Sequence, residues 1–170
     1  PGRQPTMYSR IVVPLDGSQM AERSLPHAVD LARKLSVPIH LIRVIDLSQI
    51  ERTAPFGLGL EQATFELART EEESESHRYL LEVSDELLAQ GVVVSDEIRC
   101  GVVFQEIIDA SRTGDVIVLA SHGRGGVSRW FIGSVAEDIV RHSRTPVLLV
   151  PNAVLQSSTA DRAATVLGRR

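Results

Sequence analysis

With 170 residues, 43% apolar and 24% charged, the chain has the size and balance of one soluble globular domain that buries a real core. A formal net charge of −4 argues against a nucleic-acid partner, because duplex binding needs a concentrated basic face. No stretch approaches the roughly 20 apolar residues that span a bilayer, no signal-peptide pattern leads the chain, and one cysteine, Cys100, rules out an intrachain disulfide; a cytoplasmic protein is the expectation.

In chain order, residues 1–7 are expected to form a disordered leader, 8–151 a single α/β domain and 152–170 a disordered tail rich in Ser, Thr and Ala. Arg10 to Leu15 is a short β-rich run, broken by Asp16-Gly17-Ser18. From Ser18, a natural N-cap, Ala21, Leu25, Ala28, Val29 and Ala32 recur at helical spacing. Pro26 falls well inside that helix, which predicts a kink. Val37 to Ile45 is a second strand, and residues 46–61, with Pro55, Gly57 and Gly59, read as a long irregular connection.

Residues 62–90 form one long helix with Leu80, Val83, Leu87 and Leu88 on its apolar stripe, a polar first half that projects into solvent, and Gly91 as its left-handed terminator. Val92 to Arg99 alternates as a strand near a sheet edge. Phe104, Ile107 and Ile108 mark a short helix closed at Gly114. Asp115 to Ala120 is continuously apolar after its first residue, the pattern of a strand buried on both faces. Val135, Ile139 and Val140 stripe a final helix, and Pro146 to Val150 is the last strand. Strands alternating with helices predict a doubly wound parallel sheet with right-handed crossovers.

Ala120 to Ser134 carries the chemistry. An apolar strand, a glycine-bearing loop and a Ser-led helix start form a site for an anion, since small residues let backbone N–H groups approach and the helix N-terminus adds partial positive charge. In an α/β protein the anion of choice is a nucleotide phosphate. Arg124 and Arg129 either pair with phosphate or stay solvated; Trp130-Phe131-Ile132 either anchors the loop to the core or covers it. His122 lacks any Cys, Asp or Glu at metal-ligand spacing, and Cys100 reads as a small residue at a strand end.

Several enzyme classes lack their signatures. The pattern Gly-x4-Gly-Lys-[Ser/Thr] is absent, and the one lysine, Lys34, lies in the first helical region, so no lysine is placed for phosphoryl transfer. No Gly-x-Gly-x-x-Gly follows the first strand, and no nucleophile elbow is visible. A binder without catalytic or metal-ligating residues is expected.

Ile11-Val-Val-Pro-Leu-Asp-Gly-Ser18, Val44-Ile45-Asp46, Gly123 followed after nine residues by Gly133-Ser134, and Pro146-Val-Leu-Leu-Val150 occur together and in order. In this they resemble the universal stress protein family over residues 8–151. The resemblance implies a five-stranded parallel sheet of order 3-2-1-4-5 with helices on both faces, which puts the chain reversal between strands one and four. Ligands of doubly wound folds bind at such a reversal.

It further implies an ATP or related adenine nucleotide ligand, with Mg²⁺ or Mn²⁺ arriving through the phosphates. Pro14 and Leu15 would line the base pocket, and Val44 would offer its backbone to the adenine edge. Asp16 would bind ribose, although Asp-Gly also favours a simple Asx turn. Gly123, Gly133 and Ser134 would surround the phosphates with the Val135 N–H joining from the helix start, Leu119, Ala120, His122 and Arg124 would also belong to the nucleotide site, and Ser134 would double as helix N-cap. Ala120 stands where the family motif has its first glycine; its methyl is compatible with an extended φ and not with a positive one. A homodimer through strand 146–150 is also implied, and the alternative function is a nucleotide-free dimeric interaction module of the same fold.

Overall fold

The structure is a computed structural model that describes residues 7–53, 61–121 and 132–151. Five parallel strands form one sheet in the order β3-β2-β1-β4-β5. β1 (Arg10–Pro14) is its centre, because every residue from Ile11 to Val13 is apolar and fully buried. Its odd residues Ile11 and Val13, with Leu15 just beyond its end, enter one core layer; Val12 enters the other. That alternation follows from the two-residue period of a strand.

After β1, Asp16 turns the chain by accepting the Ser18 N–H on Oδ1 at 2.9 Å, with Gly17 at φ 79°. Ser18 then caps α1 (Gln19–Glu22) through Oγ, which accepts the Ala21 N–H at 3.1 Å. The single kinked helix expected here is instead two helices. α1 ends after one turn, and α2 (Leu25–Leu35) restarts with Pro26 in its first turn. There the missing N–H has no intrahelical acceptor to lose, so the proline starts a helix and no kink is needed. Ala28, Val29 and Ala32 bury the inner face of α2.

β2 (Ile39–Ile45) is buried at every position but Val44. The connection after it is not wholly irregular. Asp46 Oδ1 accepts the Ser48 N–H at 3.0 Å and opens α3 (Leu47–Thr53), a capping effect that outweighs the breakers Pro55, Gly57 and Gly59, which follow the helix in sequence and lie outside the described residues. α4 (Glu61–Ala89) is the long helix, ended by Gly91 at φ 77°. None of residues 62–75 is buried, whereas Leu80, Val83 and Leu87 are. Leu88 is not on that stripe: at 53% exposure it points outward, one 100° step past Leu87, and Ser76 and Ser84 take the inner positions.

β3 (Val94–Cys100) is a sheet edge, paired with β2 alone. α5 (Val103–Ala110) stops four residues before Gly114, its last turn closed by Ser111 N–H on Ile108 O. Gly114 (φ 91°) instead turns the chain into β4 (Asp115–Ala120); a Cβ there would lie 2.8 Å from Ser9 Oγ. All six residues of β4 are buried. α6 (Ser134–His142) and β5 (Val147–Val150) complete the order, with Val140 turned outward while Ala136 and Ile139 carry the inner face.

Helices α1, α2 and α4 cover one face of the sheet, and α5 and α6 cover the other. Each fully buried Ile or Leu in these layers contributes about 1.5–3 kcal/mol of transfer free energy. Among the described residues no helix is long and apolar enough to cross a membrane.

Candidate ligand site

Adjacent central strands β1 and β4 connect in opposite directions, β1 toward β2 and β4 toward β5. The connecting segments therefore part above their carboxyl ends and leave a crevice. A cavity of about 480 Å³ occupies it, within the usual range for a small-molecule site. Pro14, Leu15 and Asp16 line it from β1, Val44 from β2, and Leu119 and Ala120 from β4. Gly133, Ser134 and Val135 close it from the start of α6. Nine expected site residues, drawn from segments as far apart as Pro14 and Val135, thus border one space. His122, Gly123 and Arg124, with Arg129, Trp130 and Phe131, lie outside the described residues; Ile132, the described member of that apolar cluster, borders the cavity.

Ala120 is the final residue of β4 and pairs with Val150 of β5. Among described non-glycine residues a positive φ occurs at Ser36 alone, so Ala120 has the extended backbone that tolerates a methyl group. Asp16 does form the Asx turn; its carboxylate borders the cavity at the same time. Ser134 is not the N-cap. Glu137 N–H closes the first helical bond on Gly133 O at 2.9 Å, which makes Gly133 the cap and Ser134 the first helical residue. Gly133 also donates its N–H to Ser121 O at 2.7 Å, tying the start of α6 to the end of β4. The N–H groups of the first α6 turn have no intrahelical acceptor and are the electropositive end of the helix.

The cavity has two kinds of wall. On the α5–α6 side it is apolar, with Ile42, Val103, Ile107 and Leu119. On the α3–α4 side it is polar, with Arg43, Gln49 and Glu72. Arg43 is 6% exposed and donates from Nη2 to Glu72 Oε1 at 2.8 Å. Its guanidinium lies 5.3 Å from the centre of the Tyr79 ring, and Tyr79 donates its hydroxyl to Glu22 Oε1 at 2.9 Å. Burial first, and the Glu22 carboxylate second, push the Tyr79 phenol far above its ordinary pKa and keep it protonated. The sequence reading missed Arg43, Gln49 and Glu72. A lone arginine in the apolar run Ile39 to Ile45 was the available signal.

Cys100 ends β3 beside Glu73, its Sγ 3.9 Å from Oε1. Burial and then that carboxylate raise the thiol pKa, the opposite of what an activated thiol needs.

The fold and this crevice define a doubly wound α/β protein with a cavity at its topological switch point. The model of the universal stress protein family matches residues 7–151, and the chain belongs to that family. It is 31% identical over 147 residues to Universal stress protein MJ0531 of Methanocaldococcus jannaschii, covering 85% of this chain and 82% of that one. The solved structure of MJ0577 superposes with a TM-score of 0.73 at 28% identity, over 87% of this chain and 99% of that one. Two more distant structures share the fold. One is a universal stress protein in complex with cAMP, at TM-score 0.60 and 18% identity, covering 87% of this chain and all of that one (100%). The other, from Archaeoglobus fulgidus in complex with dAMP, has TM-score 0.56 and 22% identity, over 85% of this chain and 98% of that one.

Proposed function

We propose that this chain binds an adenine nucleotide, ATP or a close relative, as a regulatory binder in the stress response with little or no hydrolysis. The observation that carries the reading is the convergence of Asp16, Val44, Ala120 and Gly133 to Val135 on one cavity at the switch point. In this reading the phosphates lie against the first turn of α6, where unpaired N–H groups and the helix dipole favour an anion. The ribose hydroxyls donate to Asp16. The base lies over the end of β2, with the Val44 backbone at its edge and the apolar wall against its face. Mg²⁺ or Mn²⁺ enters with the phosphates. Adenine nucleotides in two fold relatives support this choice of ligand. The only lysine of the chain, Lys34, pairs with Asp30 on α2 at 2.7 Å, so the site works without the lysine that phosphoryl transfer ordinarily uses.

The reading includes residues 8–151 as one domain, a cytoplasmic location and a homodimer. Leu148, 41% exposed on edge strand β5, is the kind of apolar edge that pairs with a second copy across a two-fold axis. Light scattering that finds monomer alone at micromolar concentration overturns the dimer.

Isothermal calorimetry with ATP tests the binding. Heat of binding with a rise in melting temperature is expected, and Gly133→Trp removes both while leaving the circular dichroism spectrum unchanged. Neither heat nor thermal shift at millimolar ATP overturns the reading. Mass spectrometry of ligand released from freshly purified protein identifies which adenine nucleotide is carried.

A further inference from the structure

Arg43 is a buried cation whose pairing is incomplete. A guanidinium has five N–H donors, and among the described residues one of them is used, in the 2.8 Å bond from Nη2 to Glu72. Buried donors without partners are costly. The fully enclosed polar side-chain atoms that lack a partner among the described residues are the hydroxyls of Ser76 and Ser84. The remaining Arg43 donor atoms are therefore not fully enclosed, and Arg43 borders the cavity. The Tyr79 ring, with its centre 5.3 Å from the guanidinium carbon, is a cation–π contact that helps hold the group at the cavity wall.

We propose that Arg43 is a specificity-determining ligand contact, donating from its unused N–H groups to a ring nitrogen of the bound base. The inference rests on the nucleotide reading above and adds to it the residue that reads the base by its side chain. Two observations place a base there and not a phosphate. In the order β2-β1-β4, the end of β2 is two strand spacings, about 10 Å, from the end of β4 and the start of α6. Glu72 also neutralises the guanidinium, which leaves directed donors with little net charge. That suits a neutral acceptor atom better than a phosphate, whose bond to arginine draws its strength from the unshared charge.

The experiment measures affinity for ATP and for three analogues in which N1, N3 or N7 is replaced by C–H, in the wild type and in Arg43→Met. In the wild type one analogue is expected to bind at least tenfold more weakly than ATP. In Arg43→Met, ATP and that analogue should bind within about threefold of each other. Where Arg43→Met does not fold, Arg43→Lys, which keeps the cation over Tyr79 but lacks the planar fork, should shrink the penalty at least threefold. Wild-type protein that binds ATP and all three analogues equally overturns the proposal and leaves the nucleotide reading standing. So does a penalty that survives in the variants, or a variant that weakens ATP far more than adenosine, which would mark Arg43 as a phosphate contact. Wild-type protein that binds no ATP overturns both.

Discussion

The guanidinium of Arg10 lies 2.6 Å from the carboxylate of Asp115 at the amino-terminal end of the sheet, opposite the switch-point cavity. Asp115 is 2% exposed and also accepts the Arg112 N–H at 2.9 Å, while Arg10 donates to Ala110 O at 2.9 Å. The cluster joins β1, β4 and the end of α5. Asp115→Ala leaves the Arg10 charge largely buried and unpaired, a loss of about 3 kcal/mol. Urea unfolding checks it, and ATP affinity at 25 °C should not change, since the cavity lies at the other end of the strands.

His40 makes stability depend on pH. It is buried on β2, with Nδ1 2.9 Å from Ser95 Oγ and Nε2 3.2 Å from Glu97 Oε2. The Glu97 distance alone suggests an imidazolium–carboxylate pair. Burial, and then the positive charge of Arg10, outweigh the opposing pull of Glu97 and Asp115 and lower the His40 pKa below 6.5. The folded state thus takes up fewer protons at this site than the unfolded chain. Its contribution is complete above pH 6.5 and is lost as pH falls from there through the lowered folded value. Urea midpoints between pH 7.5 and pH 5 should fall more in the wild type than in His40→Gln; parallel curves would contradict this.

Ala120→Gly restores the glycine of the family motif. Because Ala120 already has extended backbone in the ladder with Val150, the glycine relieves nothing. It adds unfolded-state freedom and lowers stability by about 0.5–1 kcal/mol. ATP affinity should stay within about twofold, as calorimetry would show; a tenfold gain would mean that the methyl group obstructs the ligand.

Ser84→Ala removes an enclosed hydroxyl of α4 that has no hydrogen-bond partner among the described residues. Alanine is also the better helix former. The variant should be more stable by up to about 1 kcal/mol, read as a higher melting temperature in differential scanning calorimetry. A destabilised variant would mean that the hydroxyl does useful packing against the sheet.

Elements whose identity rests on local physics were legible. β4 is an apolar run because both its faces are covered, and α4 ends where Gly91 permits a positive φ. The departures sit where one residue's rotation or one cap decides the outcome. Leu88 is a single helical step from Leu87, and Gly133 takes the capping position one residue before Ser134. Pro26 looked like an interruption because nothing in the apolar periodicity marks the break at Arg23 and Ser24.

The sequence by itself determined the five strands and the helices α4, α5 and α6 in their order, since apolar period, turn residues and spacing are local properties; it did not show α3 or the break between α1 and α2. Tertiary structure alone decided that Arg43 meets Glu72 and Tyr79 at the cavity wall, across 29 residues in the first pair. That meeting depends on how α4 is rotated over β2. The rotation is set by packing of Leu80, Val83 and Leu87 against the sheet, not by any pattern within either segment.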